Sequence, residues 1–406
     1  MKNFANFNLC LYTDILFGKD TEKETARMIR KHGGSRVMVV YGTGSVKKSG
    51  LFDRITKVLN DDGLYFIEFG GVLPNPRRSL VDKGIKIARE EKIDFLLGIG
   101  GGSAIDSAKA IALALANDGE YWKFYNGEVT GKMQPVGTVH TISAAGTETS
   151  RAAVLVDDLE TGLKRGLMLD CCRPVFAIMN PELTYTVSPW QTAAGAVDIL
   201  AHTVGRYFMP GPAGSQDIYW SCLGDEFAEG LMRAVVKYGP VAVANPNDYE
   251  ARSELMMAGA FSHNDLTNIG RSGVRGGEHP LESQLSGYYD TTHGAGLAVV
   301  MPAWLKYIVD NGRAEKAARI AQFGVKVFGV SPDMTDIKAT ANAGLEAFRS
   351  WIRSLGMPLT LAELGIPKTD LPLMIKRCMD VNKGKITGFM DLDEKAVSEI
   401  YTAMAD

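Results

Sequence analysis

The sequence predicts an α/β domain with a parallel sheet over residues 1–185 and an all-α domain over residues 186–406. Two observations carry this prediction. Short apolar runs alternate with helical segments in the first part of the chain, and long amphipathic segments without a comparable strand pattern fill the second part. Strand–helix–strand alternation is typical of parallel sheets that are covered by helices.

Strands are predicted where short, largely apolar runs end in glycine or another turn residue. These runs cover residues 36–41, 64–69, 93–99, 135–141, 152–156, 163–169 and 175–178. Apolar residues at helical spacing lie between the first strands, over residues 46–60, 80–91 and 104–117. Near-continuous apolar runs indicate strands that are buried on both faces, as in a parallel sheet between layers of helices.

The residue pattern of the chain changes after Asn180 and Pro181. Amphipathic helices are predicted over residues 189–208, 216–240, 248–264, 293–310, 313–328, 335–355, 370–380 and 393–404. Proline and glycine separate these segments, as expected at helix boundaries. The second domain is therefore predicted to be helical throughout.

Composition and charge exclude several classes of protein. The 406 residues carry a formal net charge of −3, and 46% of them are hydrophobic. This charge offers no basic surface for nucleic acid, and no apolar stretch approaches the roughly 18 residues of a membrane span. The first residues do not resemble a secretory signal, so we expect a soluble, cytoplasmic protein.

Cysteine usage argues against a disulfide framework and against a thiolate metal site. The five cysteines are odd in number and show no CxxC spacing. Cys171 and Cys172 are adjacent, and a bond between neighbours is strained, so two reduced thiols are expected there.

Two glycine-rich turns are candidates for binding a nucleotide. Residues 98–103 (GIGGGS) and residues 42–45 (GTGS) each follow a predicted strand and precede a predicted helix. Glycine permits close approach of a phosphate, and the free N–H groups of a helix start attract anions. Residues 98–103 depart from the usual G-x-G-x-x-G pattern and also suit a plain tight turn. Two such turns in one sheet suit a dinucleotide, with one turn at the pyrophosphate and the other at the adenosine ribose.

The second turn favours NADP over NAD. NAD sites generally place an acidic residue on the ribose 2′-hydroxyl. Here Gly42, Thr43 and Ser45 are followed by Lys47 and Lys48, and no acidic residue occurs until position 53. Small donors and lysines suit a 2′-phosphate.

Three of the six histidines have a pattern that is typical of metal ligands. Asp198 and His202 are four residues apart in a predicted helix and so share a face, while His279 and His293 lie near predicted element ends. One carboxylate and three imidazoles suit Zn²⁺ or Fe²⁺. The first pair could equally be a hydrogen-bonded helix pair, and His293 a helix cap. The remaining histidines are predicted to be a surface, a strand and a helix residue: His32, His140 and His263.

The motifs at residues 100–109 (GGGSAIDSAK), 195–202 (GAVDILAH) and 278–296 resemble the iron-containing (group III) metal-dependent alcohol dehydrogenases. Residues 41–48 (YGTGSVKK) and 17–18 are most similar to the branch of NAD(P)H-dependent butanol dehydrogenases and broad aldehyde reductases. The resemblance implies the dehydroquinate synthase-like architecture of that family. It also implies a metal centre with catalytic ligands Asp198, His202, His279 and His293.

The resemblance further implies interconversion of small aliphatic aldehydes, such as butanal, and primary alcohols by hydride transfer. The expected cofactors are NADP or NAD and one divalent metal, Fe²⁺ or Zn²⁺, and a homodimer is expected. The expected cofactor-binding residues are Gly42, Gly44, Ser45, Asn75, Gly101, Gly102, Ser103, Asp106, Thr141 and Lys164.

Two departures from the family pattern concern the proton path and the cofactor contacts. Many relatives carry a proton-relaying histidine four residues after the ligand that His279 matches, and this chain has Ser283 there. A hydroxyl with a bridging water and direct exchange with solvent are both open as proton paths. The segment 141–148 (TISAAGTE) also differs from the commoner threonine-rich version.

Other activities share this architecture. An enzyme of the dehydroquinate-synthase type needs several basic residues around its metal, and only Arg271 and Arg275 are candidates for that role here. A glycerol-dehydrogenase-type enzyme and a non-enzymatic nucleotide sensor with a structural metal are further alternatives. The apolar neighbours of Asp198 and His202 favour a small apolar aldehyde or alcohol.

Overall fold

The computed structural model describes residues 5–209, 221–271 and 276–405. The chain divides into two compact units. The sheet unit comprises Cys10–Val187 and Pro246–Asn264, and the helical unit comprises Met1–Leu9, Ser188–Asn245 and Asp265–Asp406.

In the described residues of the sheet unit, six strands form one sheet in which every neighbouring pair is parallel. The described residues of the unit contain eight strands in all: β1 Asp14–Phe17, β2 Arg36–Gly42, β3 Tyr65–Val72, β4 Phe95–Gly100, β5 Val136–His140, β6 Ala152–Val156, β7 Lys164–Met168 and β8 Phe176–Met179. The sheet has the order β1-β8-β5-β4-β2-β3, while β6 and β7 form a separate antiparallel pair. The expected parallel sheet is thus confirmed, and β1 is a strand that the sequence did not predict.

The helices of the sheet unit lie between its strands and in one later segment. They are α1 Thr25–Lys31, α2 Ser45–Lys48, α3 Leu51–Asp61, α4 Arg78–Glu90, α5 Gly102–Leu115, α6 Trp122–Tyr125 and α9 Tyr249–Ser262. The helix predicted over 46–60 is two helices, because Gly50 adopts a left-handed conformation with φ +70°.

The centre of the sheet is apolar on both faces. Every residue of β4 is buried, and α5, which follows it, is buried from Ala104 to Ala114. This burial accounts for the run of alanine, isoleucine and leucine in both elements, which an exposed helix would not carry. The strand and the helix therefore hold the turn between them, residues 100–103, in a fixed place.

Helix α9 belongs to the sheet unit although it lies far along the chain. Met256 and Ala260 pack with Ala177 and Met179 of β8 in one buried cluster. The hydroxyl of Thr149 also donates a hydrogen bond to the carbonyl oxygen of Ala260 at 2.6 Å. The sequence shows that α9 is amphipathic but does not show which core receives it.

The helical unit contains no strand in its described residues apart from one isolated bridge between Ile386 and Leu392. Its helices are α7 Pro189–Tyr207, α8 Cys222–Ala244, α10 Glu278–Tyr288, α11 His293–Asn311, α12 Ala314–Phe328, α13 Ile337–Ser354, α14 Leu371–Val381 and α15 Glu394–Ala403. The all-helical prediction is confirmed, with α10 as a helix that was not predicted. Part of the helix predicted over 216–240 lies outside the described residues.

Helices α7 and α11 form the interior of this unit. The hydroxyl of Ser188 accepts a hydrogen bond from the backbone N–H of Gln191 and caps α7, and Pro189 fills the first helical position. Most of α7 and most of α11 are buried. None of the helices among the described residues is both long enough and apolar enough to cross a membrane.

Candidate metal centre and nucleotide-binding turns

The first half of the candidate metal centre lies on one face of α7. Asp198 and His202 are one helical turn apart, and the Nε2 atom of His202 lies 3.3 Å from Oδ1 of Asp198. Both side chains are buried. A buried carboxylate is costly without a compensating charge or hydrogen bond, so this pair requires a polar environment inside an otherwise apolar helix.

The other two predicted ligands begin two different helices. His279 is the second residue of α10, and His293 is the first residue of α11. The imidazole of His279 stacks on that of His202 with 4.7 Å between ring centroids, and Nε2 of His293 lies 3.8 Å from Oδ1 of Asp198. The structure therefore brings all four predicted ligand residues to one place.

One ligand atom each from Asp198, His279 and His293 lies within 4.8 Å of the other two. This is the separation at which a single ion can contact all three residues. His202 is outside that group of three but adjoins it through its contact with Asp198. His279 and His293 both lie in the first turn of their helices. The starts of α10 and α11 therefore bring these two imidazoles close to Asp198.

A glycine allows α11 to approach α7. A Cβ atom on Gly294 would overlap the carbonyl oxygen of Ala194 in α7. Only a residue without a side chain fits this contact, which sits directly beside His293 in the sequence. The close approach of the two helices is what lets His293 reach Asp198.

Two carboxylates that the sequence analysis did not assign lie behind the imidazoles. Nδ1 of His279 is 2.8 Å from Oε1 of Glu278, and Nδ1 of His293 contacts Oε2 of Glu282. Both carboxylates are fully buried. A neutral imidazole that donates from Nδ1 carries its lone pair on Nε2, which is the form that binds a metal.

The donor set fits a divalent metal of borderline softness. It offers one carboxylate oxygen and imidazole nitrogens with no thiolate, a combination that Zn²⁺ and Fe²⁺ accept. In His293, Nδ1 contacts Glu282 while Nε2 of the same ring lies 3.8 Å from Oδ1 of Asp198. The chemistry of these residues thus suits one bound ion.

Ser283 does not take the place of a relay histidine. Its hydroxyl donates a hydrogen bond of 2.7 Å to the carbonyl oxygen of His279, one turn earlier in α10. The proton of that hydroxyl is therefore used inside the helix. Of the two proton paths left open by the sequence, this contact disfavours the one through the serine hydroxyl.

In the sheet unit, the two glycine-rich turns lie side by side. Tyr41 of β2 pairs with Ile99 of β4, so the turns at 42–45 and 100–103 leave neighbouring strands at the same edge. The chain proceeds from β2 outward to β3 and returns to β4 on the other side of β2. Nucleotides bind parallel sheets at such a change of direction, outside the carboxyl ends of the strands.

The backbone of both turns requires glycine. Gly44 precedes α2 with φ +129°, and Gly100 precedes α5 with φ +143°. A Cβ atom on Gly101 would lie 2.5 Å from the side chain of Ile142. Gly101, Gly102 and Ser103 therefore form the start of α5 with little bulk, which leaves its N–H groups open to an anion.

Asp106 has structural partners in place of an open position. Its Oδ1 accepts a hydrogen bond of 2.5 Å from the Thr147 hydroxyl, and its Oδ2 accepts one of 2.9 Å from the backbone N–H of Val154. Burial raises the pKa of Asp106, against the charge of Lys109 and these hydrogen bonds. Asp106 thus holds the segment after β5 against α5. This structural role was not predicted from the sequence, which indicated only a contact with the cofactor.

Lys109 shares this role. Its ammonium group, which is fully buried, lies within 3.0 Å of four oxygens of residues 147–152. Burial lowers the pKa of Lys109 to about 8, although the charge of Asp106 raises it. Asp106 and Lys109 are three residues apart on α5, so the GGGSAIDSAK motif contains both the predicted phosphate turn and the anchor of the neighbouring loop.

The remaining predicted cofactor residues lie on neighbouring segments. The backbone N–H of Thr141 donates to the carbonyl oxygen of Gly100 at 3.1 Å, beside the turn. Lys164 begins β7, and its charge offsets a small part of the rise that burial causes in the pKa of Asp106. Asn75 follows β3 in a left-handed conformation with φ +52°. Their contact with a cofactor stays a prediction.

The structure adds a carboxylate to the turn at 42–45. Oε2 of Glu68, on β3, is 2.6 Å from the ammonium of Lys47 and 3.0 Å from the Tyr41 hydroxyl. Hydrogen bonding of the Lys47 ammonium to Glu68, and next to Tyr41, raises the pKa of Lys47. Reading along the sequence could not find Glu68, because it comes from the adjacent strand, more than 20 residues after the turn.

One of the two basic residues considered for a dehydroquinate-synthase-type site, Arg271, forms its contacts within the helical unit. Arg271 is 2% exposed, and its guanidinium contacts Asp225 and donates to the carbonyl oxygen of Thr267. Arg275 lies outside the described residues. Of the other histidines, His140 lies in a strand as predicted and His263 immediately follows α9.

Comparison with known proteins agrees with this geometry. The family model for the iron-containing alcohol dehydrogenase matches residues 13–181, and the model for the C-terminal part of the Fe-containing alcohol dehydrogenase family matches residues 192–405. The chain belongs to the iron-containing alcohol dehydrogenases. It is therefore an oxidoreductase that acts on CH–OH groups.

Several relatives of this family match nearly the whole chain. The chain is 37% identical to the NADH-dependent butanol dehydrogenase A of Clostridium acetobutylicum over 398 residues, 98% of each chain. It is 32% identical to the NADPH-dependent aldehyde reductase YqhD of Escherichia coli, covering 98% of this chain and 99% of that one. The crystal structure of the NADH-dependent butanol dehydrogenase A of Thermotoga maritima superposes with a TM-score of 0.92, with 33% identity and full coverage of both chains.

Proposed function

We propose that this iron-containing alcohol dehydrogenase reduces small aliphatic aldehydes such as butanal to primary alcohols, and catalyses the reverse reaction, with a nicotinamide dinucleotide. The catalytic centre consists of Asp198, His202, His279 and His293, which hold one Fe²⁺ or Zn²⁺. The convergence of Asp198, His279 and His293 within 4.8 Å carries this proposal. The names of the relatives, which include butanol dehydrogenases and an aldehyde reductase, support the substrate class.

The residues of the chain provide the setting for hydride transfer. Lewis-acid polarisation of the carbonyl, or acidification of the alcohol in the reverse direction, is the chemistry that a bound divalent ion supplies here. Asp198 is the one anionic residue among the four proposed ligands, so a divalent ion and these ligands would carry a net charge near +1. Ser283 donates its hydroxyl to the backbone, so we propose that the product oxygen takes its proton from solvent.

The surroundings of the centre favour a small apolar substrate. Residues 189–205 of α7 contain no lysine or arginine, and the neighbours of Asp198 on this helix are mainly alanine, valine, isoleucine and leucine. Arg271 is bound to Asp225 and does not provide a counter-charge for an anionic substrate. A polyhydroxylated or anionic substrate would leave its polar groups without partners in such a setting, at a cost of about 1–3 kcal/mol for each buried group.

We propose NADPH as the preferred cofactor and NADH as a usable one. The turn at 42–45 offers small residues and the lysines at 47 and 48, which suit a 2′-phosphate. Glu68 neutralises part of this charge through Lys47, so the preference is expected to be no more than a few-fold. The relatives include enzymes named for each cofactor.

We also propose that the enzyme is a cytoplasmic homodimer. All five cysteines lie in the described residues as free thiols, which suits a reducing compartment. The homodimer rests on the family resemblance, and light scattering of the purified protein tests it.

The test is an aldehyde reductase assay on metal-loaded protein and on two ligand variants. We expect Asp198→Ala and His279→Ala to lower kcat/KM for butanal by at least about 10³-fold, because polarisation of the carbonyl supplies several kcal/mol. The affinity for NADPH, measured by fluorescence titration, is expected to remain. His32→Ala is the matched control and should keep its activity. A ligand variant that is shown to be metal-free yet nearly fully active would contradict the proposal.

A further inference from the structure

The metal centre is backed by two carboxylates that are not ligands. Glu278 and Glu282 are each 0% exposed, and each contacts the Nδ1 atom of one imidazole, in His279 and His293 respectively. The two contacts use the same ring atom on both histidines. A carboxylate buried to this extent needs a strong partner, because desolvation of the charge costs several kcal/mol.

Each carboxylate is held in a space that glycines leave open. A Cβ atom on Gly205 would overlap Oε1 of Glu278, and one on Gly276 would lie 2.5 Å from Oε2 of the same side chain. A Cβ atom on Gly296 would lie 2.6 Å from Oε1 of Glu282. The three glycines come from α7, from the segment before α10 and from α11, so separate parts of the helical unit make room for these two side chains.

A hydrogen bond further fixes Glu282. The hydroxyl of Ser286, one helical turn later, donates to Oε2 of Glu282 at 3.1 Å. The side chain is thereby held from its own helix as well as by the imidazole. Close packing and hydrogen bonding of this kind restrict rotation of the carboxylate, and therefore of the ring that contacts it.

We propose that Glu278 and Glu282 are positioning residues that fix His279 and His293 as Nε2 ligands and raise the affinity of the centre for a divalent cation. This rests on the proposed function, since it concerns the same ion. Glu278 accepts the Nδ1 proton of His279, and the close charged contact of Glu282 with Nδ1 of His293 favours a proton on the same atom of that ring. A proton on Nδ1 leaves the Nε2 lone pair free for the ion, and the adjacent carboxylate makes the ring more basic. Together they add two negative charges close to the cation without occupying its coordination positions.

The variants Glu278→Gln and Glu282→Gln test this. An amide preserves the shape and an acceptor oxygen but removes the charge. We expect the apparent Kd for Zn²⁺, measured by competition with a chromophoric chelator, to rise by about 10-fold in each variant and by up to about 100-fold in Glu278→Ala and Glu282→Ala. A smaller loss with glutamine than with alanine is the signature of a retained hydrogen bond.

Glu229→Gln is the matched control. Glu229 is also a buried carboxylate of the helical unit, bound to the hydroxyl of Tyr207. Tyr207 lies nine residues after Asp198, about 14 Å along α7. The control should bind Zn²⁺ like the wild type, and circular dichroism and thermal unfolding establish that each variant is folded.

A measurement on the wild type keeps the inference testable if the variants do not fold. In Zn²⁺-loaded protein with ¹⁵N-labelled histidine, the rings of His279 and His293 should carry their proton on Nδ1. Protons on Nε2, or unchanged Zn²⁺ affinity in the folded variants, would overturn the positioning role alone. Absence of Zn²⁺ binding by the wild type would instead overturn the proposed function, and this inference with it.

Discussion

Substitution of Gly294 by alanine is expected to disable the metal centre without altering any ligand. The added methyl group would overlap the carbonyl oxygen of Ala194, and the gap must open by at least about 1 Å to relieve this overlap. Gly294 directly follows His293, so the start of α11 must move together with this ligand. Metal–ligand distances tolerate deviations of only about 0.2 Å.

The expected magnitude follows from this displacement. A shift of about 1 Å removes His293 from an ion held by the other ligands, and misplacement on this scale costs about 10²-fold in rate. The overpacked contact itself should lower the free energy of unfolding by about 1–3 kcal/mol. The variant is therefore expected to fold, to bind Zn²⁺ at least about 100-fold more weakly and to reduce butanal about 100-fold more slowly.

The assay measures chelator-competed Zn²⁺ affinity, kcat/KM for butanal and denaturant unfolding of the same preparations. Gly230→Ala is the matched control, because among the described residues a Cβ atom on Gly230 in α8 would meet only the Arg233 side chain, at 3.7 Å. That variant should keep its activity and gain up to about 1 kcal/mol in stability. A folded Gly294→Ala protein with wild-type metal affinity would refute the reasoning.

Three further predictions concern the other contacts. Ser283→Ala should leave kcat for butanal nearly unchanged, because its hydroxyl is bound to the backbone; a fall of about 100-fold would show that it relays a proton. Glu68→Gln should raise the ratio of kcat/KM for NADPH to that for NADH by about 5-fold, because it frees the charge of Lys47. An unchanged ratio would show that Lys47 does not influence the choice of cofactor. Asp225→Ala should cost about 3–5 kcal/mol in urea unfolding, because Arg271 and Arg319 lose a buried counter-charge. Burial raises the pKa of Asp225 but its arginine partners lower it below the ordinary value, so its stabilising effect should persist above pH 4 and fade as the pH falls below that; a variant with the same acid sensitivity as the wild type would contradict this.

The parts of the fold that the sequence predicted are those with a strong periodic signal. Strand β4 is buried on both faces and reads as a continuous apolar run, and the glycines at 44 and 100 mark turns because their φ angles are positive. Asp198 and His202 were paired because residues at i and i+4 share a helix face, whereas His279 and His293 were predicted as ligands from the family resemblance. Strand β1 was missed, since the four residues Asp14–Phe17 are too short for any periodicity.

The residues that were missed around the site depend on tertiary contacts. Glu278 and Glu282 look like ordinary solvated helix residues, and only packing against Gly205, Gly276 and Gly296 shows that they are buried. The available signal was their position, directly before His279 and three residues after it. Glu68 was missed for a related reason, because β2 and β3 pair across more than 20 intervening residues.

Helix α10 and the segment that contains α9 illustrate two other limits. Pro280 and several polar residues obscure the helical pattern of α10, although proline is tolerated in the first turn of a helix. For α9 the pattern gives a helix but not its partner, because the apolar face of Met256 and Ala260 would suit any core. Only the three-dimensional structure shows which core such a helix packs against.

The central claim is that Asp198, His202, His279 and His293 hold one catalytic divalent ion. Anomalous X-ray diffraction at the zinc and iron absorption edges, from crystals of the metal-loaded enzyme, tests it most directly. We predict a single strong peak in contact with the carboxylate of Asp198 and with Nε2 of the three histidines. A peak at any other group of residues, or a loaded and active enzyme without a peak there, would contradict the claim.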